Sequence, residues 1–169
     1  LLFLIYINDI DDSVCSKLLK FADDTKDFRV VSTKDDIDKL QLDLINLGKW
    51  SQEWLMLFNV EKCKVMHLGI KAKYEMNGKY LEEVTEERDL GIILQSDLRC
   101  RKQCLKAVST ANKVLGMIKR SFSVRDKEVI LQLYKSLVRP HLEYSIHAWR
   151  PHFRQDIDLI EGVQRRATK

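Results

Sequence analysis

The 169-residue chain predicts an α+β fold in which antiparallel strands with one packed helix precede an all-α bundle. Three observations carry this. Strand-like segments and a single helical segment alternate up to Leu94. Beyond it the apolar spacing becomes helical throughout. The charge divides at the same place, net −5 for residues 1–94 and net +9 for residues 95–169, within a total of +4. With 45% apolar residues, 6 Gly and 2 Pro, the chain can bury a core and is not compositionally disordered. Its four cysteines, Cys15, Cys63, Cys100 and Cys104, do not form a secreted disulfide framework, so a reduced intracellular setting, cytoplasmic or nuclear, is expected.

Leu1 to Ile7 is an apolar run that suits either a buried strand or the end of a buried helix. It lacks a basic flank and is too short to span a bilayer, so no membrane association is expected. Both ends of the chain read as cut from a longer protein, and the run could be left exposed, an aggregation risk. Asp9, Asp11 and Asp12 read as a solvated loop. Leu18 to Ala22 and Thr25 to Val31 read as two short strands around Asp23 and Asp24. Ile37, Leu40, Leu44, Leu47, Trp50 and Trp54 recur at helical spacing, with Thr33 and Asp36 as a capping signal and Asn59 closing the helix. Trp50 and Trp54 are expected on its buried face. "CKVMHLG" alternates as a strand. Asn77-Gly78, within Tyr74 to Leu81, is a strong hairpin signal, because a type I′ turn needs positive φ at both positions. Asp89 to Leu94 is expected to form one more buried strand.

In the second half Leu98, Leu105, Val108, Ala111, Leu115 and Ile118 mark one helix face. Ser123 with Asp126 caps a second helix carrying Val129, Ile130, Leu133, Leu137 and Val138, which Pro140 interrupts. "HLEYSIHAW" resumes a helix, Pro151 ends it, and Ile157, Ile160, Val163 and Ala167 belong to the last one. Tyr134, Tyr144 and Trp149 suit core packing better than base stacking.

Asp23 and Asp24 admit two readings. Aspartate is a favoured turn residue, so one reading is a solvated hairpin tip and nothing more. Two carboxylates held by rigid strands also suit Mg²⁺, which takes one or two of them and completes its shell with water and substrate phosphate. Two are too few for a two-metal site, so a third on another strand is expected. Cys100 and Cys104, one helical turn apart, lack a partner pair for zinc. His67, His141, His147 and His152 neither form a metal spacing nor pair with a nucleophile.

The succession "LLFLIYINDI", "KFADDTK", "WLMLFNVEKCKVMHLG", "MNGKYLEEVTEERDLGIIL", "KVLGMIKRSF" and "LYKSLVRPHLEYSIHAWRPH" resembles the reverse transcriptases of LINE-type (non-LTR) retrotransposons along essentially the whole chain. The resemblance implies a partial polymerase palm over residues 1–94 and a basic, thumb-like helical region over 95–169. It implies that Asp23 is the principal metal ligand and Asp24 its less direct partner. Lys62 matches the lysine proposed to protonate departing pyrophosphate, beside the plainer reading of an exposed lysine after a helix. Asn77, Gly78 and Lys79, with "RDLGIIL", would support the primer terminus, and Lys113, Lys119 and Arg120 would hold phosphate backbone. The implied ligands are an RNA template, a DNA primer, deoxynucleoside triphosphates and Mg²⁺, with no obligate protein partner. The family's earlier aspartate, nucleotide pocket and fingers are not in this sequence, so a chain inactive on its own is expected. A non-catalytic nucleic-acid-binding or interaction module using the basic helices is the alternative.

Overall fold

The structure, a computed structural model, describes residues 2–122 and 126–168. It is broadly α+β, mixing helices with small two-stranded sheets. No helix among the described residues is long and apolar enough to cross a membrane. The chain forms two compact units, Leu1–Thr85 and Glu86–Lys169. The seam therefore precedes the segment Asp89 to Leu94, which packs with the helices that follow it.

Unit 1 begins with helix α1 (Leu2–Tyr6) and a 3-10 turn (Ile10–Ser13). The apolar run is thus helical, yet it is not buried: Leu2 is 75% and Ile5 68% exposed, and only Ile7 and Ile10 enter the core. The following aspartates are more than a solvated loop. Trp50 Nε1 donates to Asp9 Oδ1 at 3.1 Å, and Lys20 forms an ion pair with Asp11 while donating to the carbonyls of Ile7 and Asn8.

Strands β1 (Lys17–Phe21) and β2 (Asp24–Phe28) pair antiparallel, Phe21 opposite Asp24. Helix α2 (Lys34–Glu53) starts with the expected capping box: Asp36 N–H donates to Thr33 Oγ1, and the Asp36 carboxylate accepts from Thr33 N–H. The helix stops at Glu53, short of Asn59, because Leu55 adopts φ 55, which a continuing helix cannot accommodate. Trp50 is buried as expected, but Trp54 lies at the end of the helix and is 40% exposed.

Only Lys64–Val65 (β3) of "CKVMHLG" is strand, and it pairs in parallel with Glu82–Glu83 (β6). Between them β4 (Glu75–Met76) and β5 (Lys79–Tyr80) form the Asn77-Gly78 hairpin, with φ 50 and 78 at the two turn positions. Ile7, Ile10, Leu47, Trp50 and Met76 form the core of this unit. Each such side chain contributes about 1.5–3 kcal/mol of burial free energy.

Unit 2 opens with a third hairpin, β7 (Glu86–Asp89) and β8 (Ile92–Gln95), turning at Leu90-Gly91 with φ 44 and 85. Asp89 to Leu94 is therefore a turn with parts of two strands instead of one buried strand. Leucine is a poor residue for positive φ. Here tertiary contacts hold it: Tyr144 Oη donates to the Leu90 carbonyl at 3.0 Å, and a Cβ on Gly91 would meet the Tyr144 ring at 3.3 Å. Tyr144, expected in a core, is accordingly half-exposed against this turn.

Helix α3 (Arg101–Ser121) buries Cys104, Ala107, Val108, Ala111, Leu115 and Ile118. Leu98 and Leu105 are not on that face; Leu98 precedes the helix at φ 56, and both are exposed. Asp126 caps α4 (Lys127–Leu133) by accepting from Glu128 N–H at 2.8 Å, while Ser123 lies outside the described residues. Pro140 does not break the helical path. A π-helical turn (Tyr134–Val138) precedes α5 (Arg139–Glu143), with Arg139 N–H donating to the Tyr134 carbonyl five residues back. The wider turn accommodates the proline ring, which would otherwise strike the carbonyl four residues earlier.

Ser145, at φ 50, separates α5 from α6 (Ile146–Trp149), and the extended Arg150 before Pro151 ends that helix. Helix α7 (Arg154–Ala167) closes the unit against α3. Val138, Leu142 and Val163 join α3 in one core cluster; Ile92, Cys100, Cys104 and Trp149 form another.

Candidate active site and nucleic-acid interface

The β1–β2 hairpin places the acidic pair. With Phe21 opposite Asp24, the turn is only Ala22 and Asp23, and Ala22 takes φ 53. A small residue is the cheaper occupant of that conformation after glycine and asparagine. Asp23 thus sits on the turn and Asp24 opens β2, both exposed. Among the described residues neither enters an ion pair, and no group of three or more potential metal ligands occurs. Two exposed carboxylates are by themselves too few to complete an Mg²⁺ shell, which would need water, substrate phosphate or a further acid.

The hairpin is anchored at its base by α2. Asp43, 1% exposed, accepts from Cys15 N–H at 2.8 Å and from Ser16 N–H at 2.9 Å, and also from Ser16 Oγ. One turn on, Asn46 Nδ2 donates to the Ser13 carbonyl at 2.9 Å. These bonds fix the chain just before β1, and hence the direction in which Asp23 and Asp24 project. Neither residue stood out in the sequence, since a lone aspartate or asparagine on a helix reads as solvated.

Lys62 lies outside this hairpin, in the exposed turn after α2, where its N–H donates to the Asn59 carbonyl at 2.9 Å. No ion pair joins it to Asp23 or Asp24.

Asn77 and Gly78 form the tip of the β4–β5 hairpin, which α2 holds at two points. Gln41 exchanges two bonds with the Glu75 backbone, at 2.8 and 2.9 Å. The Asn77 Oδ1 sits where a Cβ on Gly48 would come within 2.6 Å. Lys79 pairs with Glu61 at 3.3 Å on the surface. Gly48→Ala gains about 0.5–1 kcal/mol of helix propensity and costs a similar amount in displacing a flexible amide. The expected outcome is a near-unchanged unfolding midpoint with a displaced Asn77 side-chain amide resonance, checked by urea titration and two-dimensional NMR.

In unit 2 the three cations on α3 differ. Lys113 is exposed and unpaired among the described residues. Arg120 folds back toward Gly116. Lys119 Nζ donates to the Arg166 carbonyl at 2.7 Å, where a cation complements the negative end of α7. Arg166 in turn donates to Asn112 Oδ1 at 3.1 and 3.3 Å. Lys119 is therefore partly a helix-capping residue. "MNGKYL" and "RDLGIIL" fall in separate two-stranded sheets.

Cys100 and Cys104 are buried together, and burial first, then the neighbouring Cys100, pushes the Cys104 thiol up to about 12. Such a thiol gives up its proton reluctantly, whereas zinc takes the thiolate. The cluster that sequence reading did not find is Arg99, His147, Arg150 and His152, which line one small cavity. Arg99 is too distant in the chain from the others for any local pattern to join them. In comparisons with known proteins, the chain matches no family model, no curated protein and no solved structure.

Proposed function

We propose that the chain is part of the polymerase core of a LINE-type reverse transcriptase: residues 1–94 contribute palm elements and residues 95–169 thumb-like elements that hold template and primer. The observation that carries the reading is the exposed Asp23-Asp24 pair at a hairpin tip, Asp23 on the two-residue turn and Asp24 opening β2, within a chain whose motif order resembles that family. Asp23 is the principal ligand for Mg²⁺ and Asp24 the supporting one. Held by these two carboxylates, Mg²⁺ would supply Lewis-acid chemistry to the attacking primer oxygen and the departing pyrophosphate. Lys62 supplies a proton to that pyrophosphate, and Asn77, Gly78 and Lys79 support the primer end. Two carboxylates leave the two-metal site incomplete, so RNA, DNA and deoxynucleoside triphosphates meet a working site only when a third acid joins Asp23 and Asp24.

The expected result is no primer extension on an RNA template by this chain with Mg²⁺ or Mn²⁺; extension that disappears in Asp23→Asn would overturn the expected inactivity. Fluorescence anisotropy with a labelled RNA–DNA duplex is expected to detect binding that weakens steeply with salt, because cations displace condensed counterions.

The exposed Lys113 and Arg120 favour a second reading, a non-catalytic nucleic-acid-binding module. Lys113→Glu with Arg120→Glu is then expected to weaken duplex binding about tenfold or more, while Asp23→Asn leaves it unchanged. Lys119 is a poor partner for this test, since its reversal would also uncap α7.

A further inference from the structure

We propose that unit 2 carries a phosphate-binding subsite, formed by Arg99, His147, Arg150 and His152, that holds one phosphodiester of a nucleic-acid backbone. Its physiological ligand rests on the nucleic-acid reading above. The four side chains line a cavity of about 190 Å³ whose other walls are β8, Cys100 and the end of α6. No carboxylate lines it. The acid beside it is Asp97, whose Oδ2 lies 3.6 Å from Arg99 Nε in an exposed pair, an interaction typically worth less than about 1 kcal/mol. Arg150 and both histidines enter no ion pair among the described residues.

The floor is rigid. Trp149 is 4% exposed and its indole N–H donates to the Tyr144 carbonyl at 2.7 Å, while Cys100 is buried beside it. Pro151 forces Arg150 into extended backbone at the end of α6. Arg99 lies 6.0 Å over the Phe153 ring, and the His152 ring packs edge-on against the same phenyl group. One aromatic ring thus contacts both a guanidinium and an imidazole.

Arginine presents a planar fork of donors that matches a phosphate, and imidazole N–H groups complete the shell. Such contacts position a strand without reading its bases, as a polymerase or a general binding module requires. The groove on the other side of Arg150, about 550 Å³, has an aliphatic floor and includes Glu143 and Glu161, so it lacks this single sign of charge.

The test uses the full chain with inorganic pyrophosphate and, separately, a single-stranded oligonucleotide. Pyrophosphate is expected to shift the imidazole resonances of His147 and His152 and the Nε–H resonances of Arg99 and Arg150. Arg99→Ser with Arg150→Ser should abolish those shifts, Arg150→Lys should retain part of them, and Lys135→Ser should leave them unchanged. The double variant should also weaken oligonucleotide binding about tenfold and flatten its salt dependence. Absence of the shifts overturns the subsite. Oligonucleotide binding with the same affinity and salt slope in the double variant overturns its backbone role while leaving the nucleic-acid reading intact. Pyrophosphate shifts without oligonucleotide binding support the anion site and overturn the nucleic-acid reading.

Discussion

Asp43→Ala is expected to destabilise unit 1 by about 3 kcal/mol or more. The carboxylate is 1% exposed and receives two backbone N–H groups and a hydroxyl from Cys15 and Ser16. Alanine leaves those donors without an acceptor at a part-buried junction with α2. Each orphaned donor costs about 1–3 kcal/mol, and hydrogen bonds to a charged acceptor lie at the upper end. Asn46 alone would still tie Ser13 to α2, so the strand start loosens before the helix does. Amide hydrogen exchange should show the loss first at Cys15 and Ser16 and in β1, with the amides of α3 and α7 unchanged. An unaltered exchange pattern in β1 would mean that the hairpin is held by something other than α2. Asp43→Asn should recover part of the stability, since its amide oxygen can accept from one of the two backbone groups.

Those features of the fold that depend on neighbouring residues were legible in the sequence. The Thr33–Asp36 capping box and the Asn77-Gly78 turn each need only local chemistry, and both occur as the residues dictate. The features that sequence reading missed depend on distant partners. Leu90 turns because Tyr144 holds its carbonyl, and no residue near Leu90 announces that. Pro140 passes through a helix because the preceding turn widens, a choice made by the packing of Tyr134 and Val138 in the core. The apolar run Trp54 to Phe58 looked like more helix, yet Leu55 leaves helical geometry and Leu57 is exposed.

The same division holds at the candidate site. Asp23 and Asp24 are adjacent in sequence and adjacent on the turn, so their pairing was visible from the start. The anchor that aims them, Asp43, is 28 residues from its partner Cys15, with the whole hairpin between them, and carries no motif. Lys119 stood out as one of several basic residues, but its contact with the end of α7 is made across 47 residues. The Arg99, His147, Arg150 and His152 cavity likewise exists only once β8, the start of α3 and the end of α6 have come together.

Asp27→Asn is expected to stabilise unit 1 at neutral pH and to lose that advantage as the pH falls. Burial first, and then the nearby Asp43 carboxylate, raise the Asp27 carboxyl from 3.8 to about 6; Ser16 and Arg29 oppose the shift without cancelling it. Neither carboxylate oxygen has a hydrogen-bond partner by geometry, and the single Ser16 hydroxyl proton is donated to Asp43. A raised folded-state value means that the native state binds the proton more tightly than the unfolded chain does. Asp27 therefore contributes no penalty below about pH 4, a growing one between about pH 4 and pH 6, and its full penalty above that. The shift corresponds to ~3 kcal/mol at full strength and to ~1–2 kcal/mol once solvent screening of a partly exposed group is allowed for. Asparagine, neutral at every pH, removes the charge and its repulsion from Asp43. Urea unfolding of both proteins at pH 4 and pH 7 should give curves that nearly coincide at the lower pH and separate at the higher one. A separation of the same size at both pH values would show that packing, and not the proton, distinguishes the two side chains. Asp43→Ala should shrink the pH dependence of the wild-type hairpin as well, because it removes the charge that contributes to the Asp27 shift, so the two variants are expected to be non-additive.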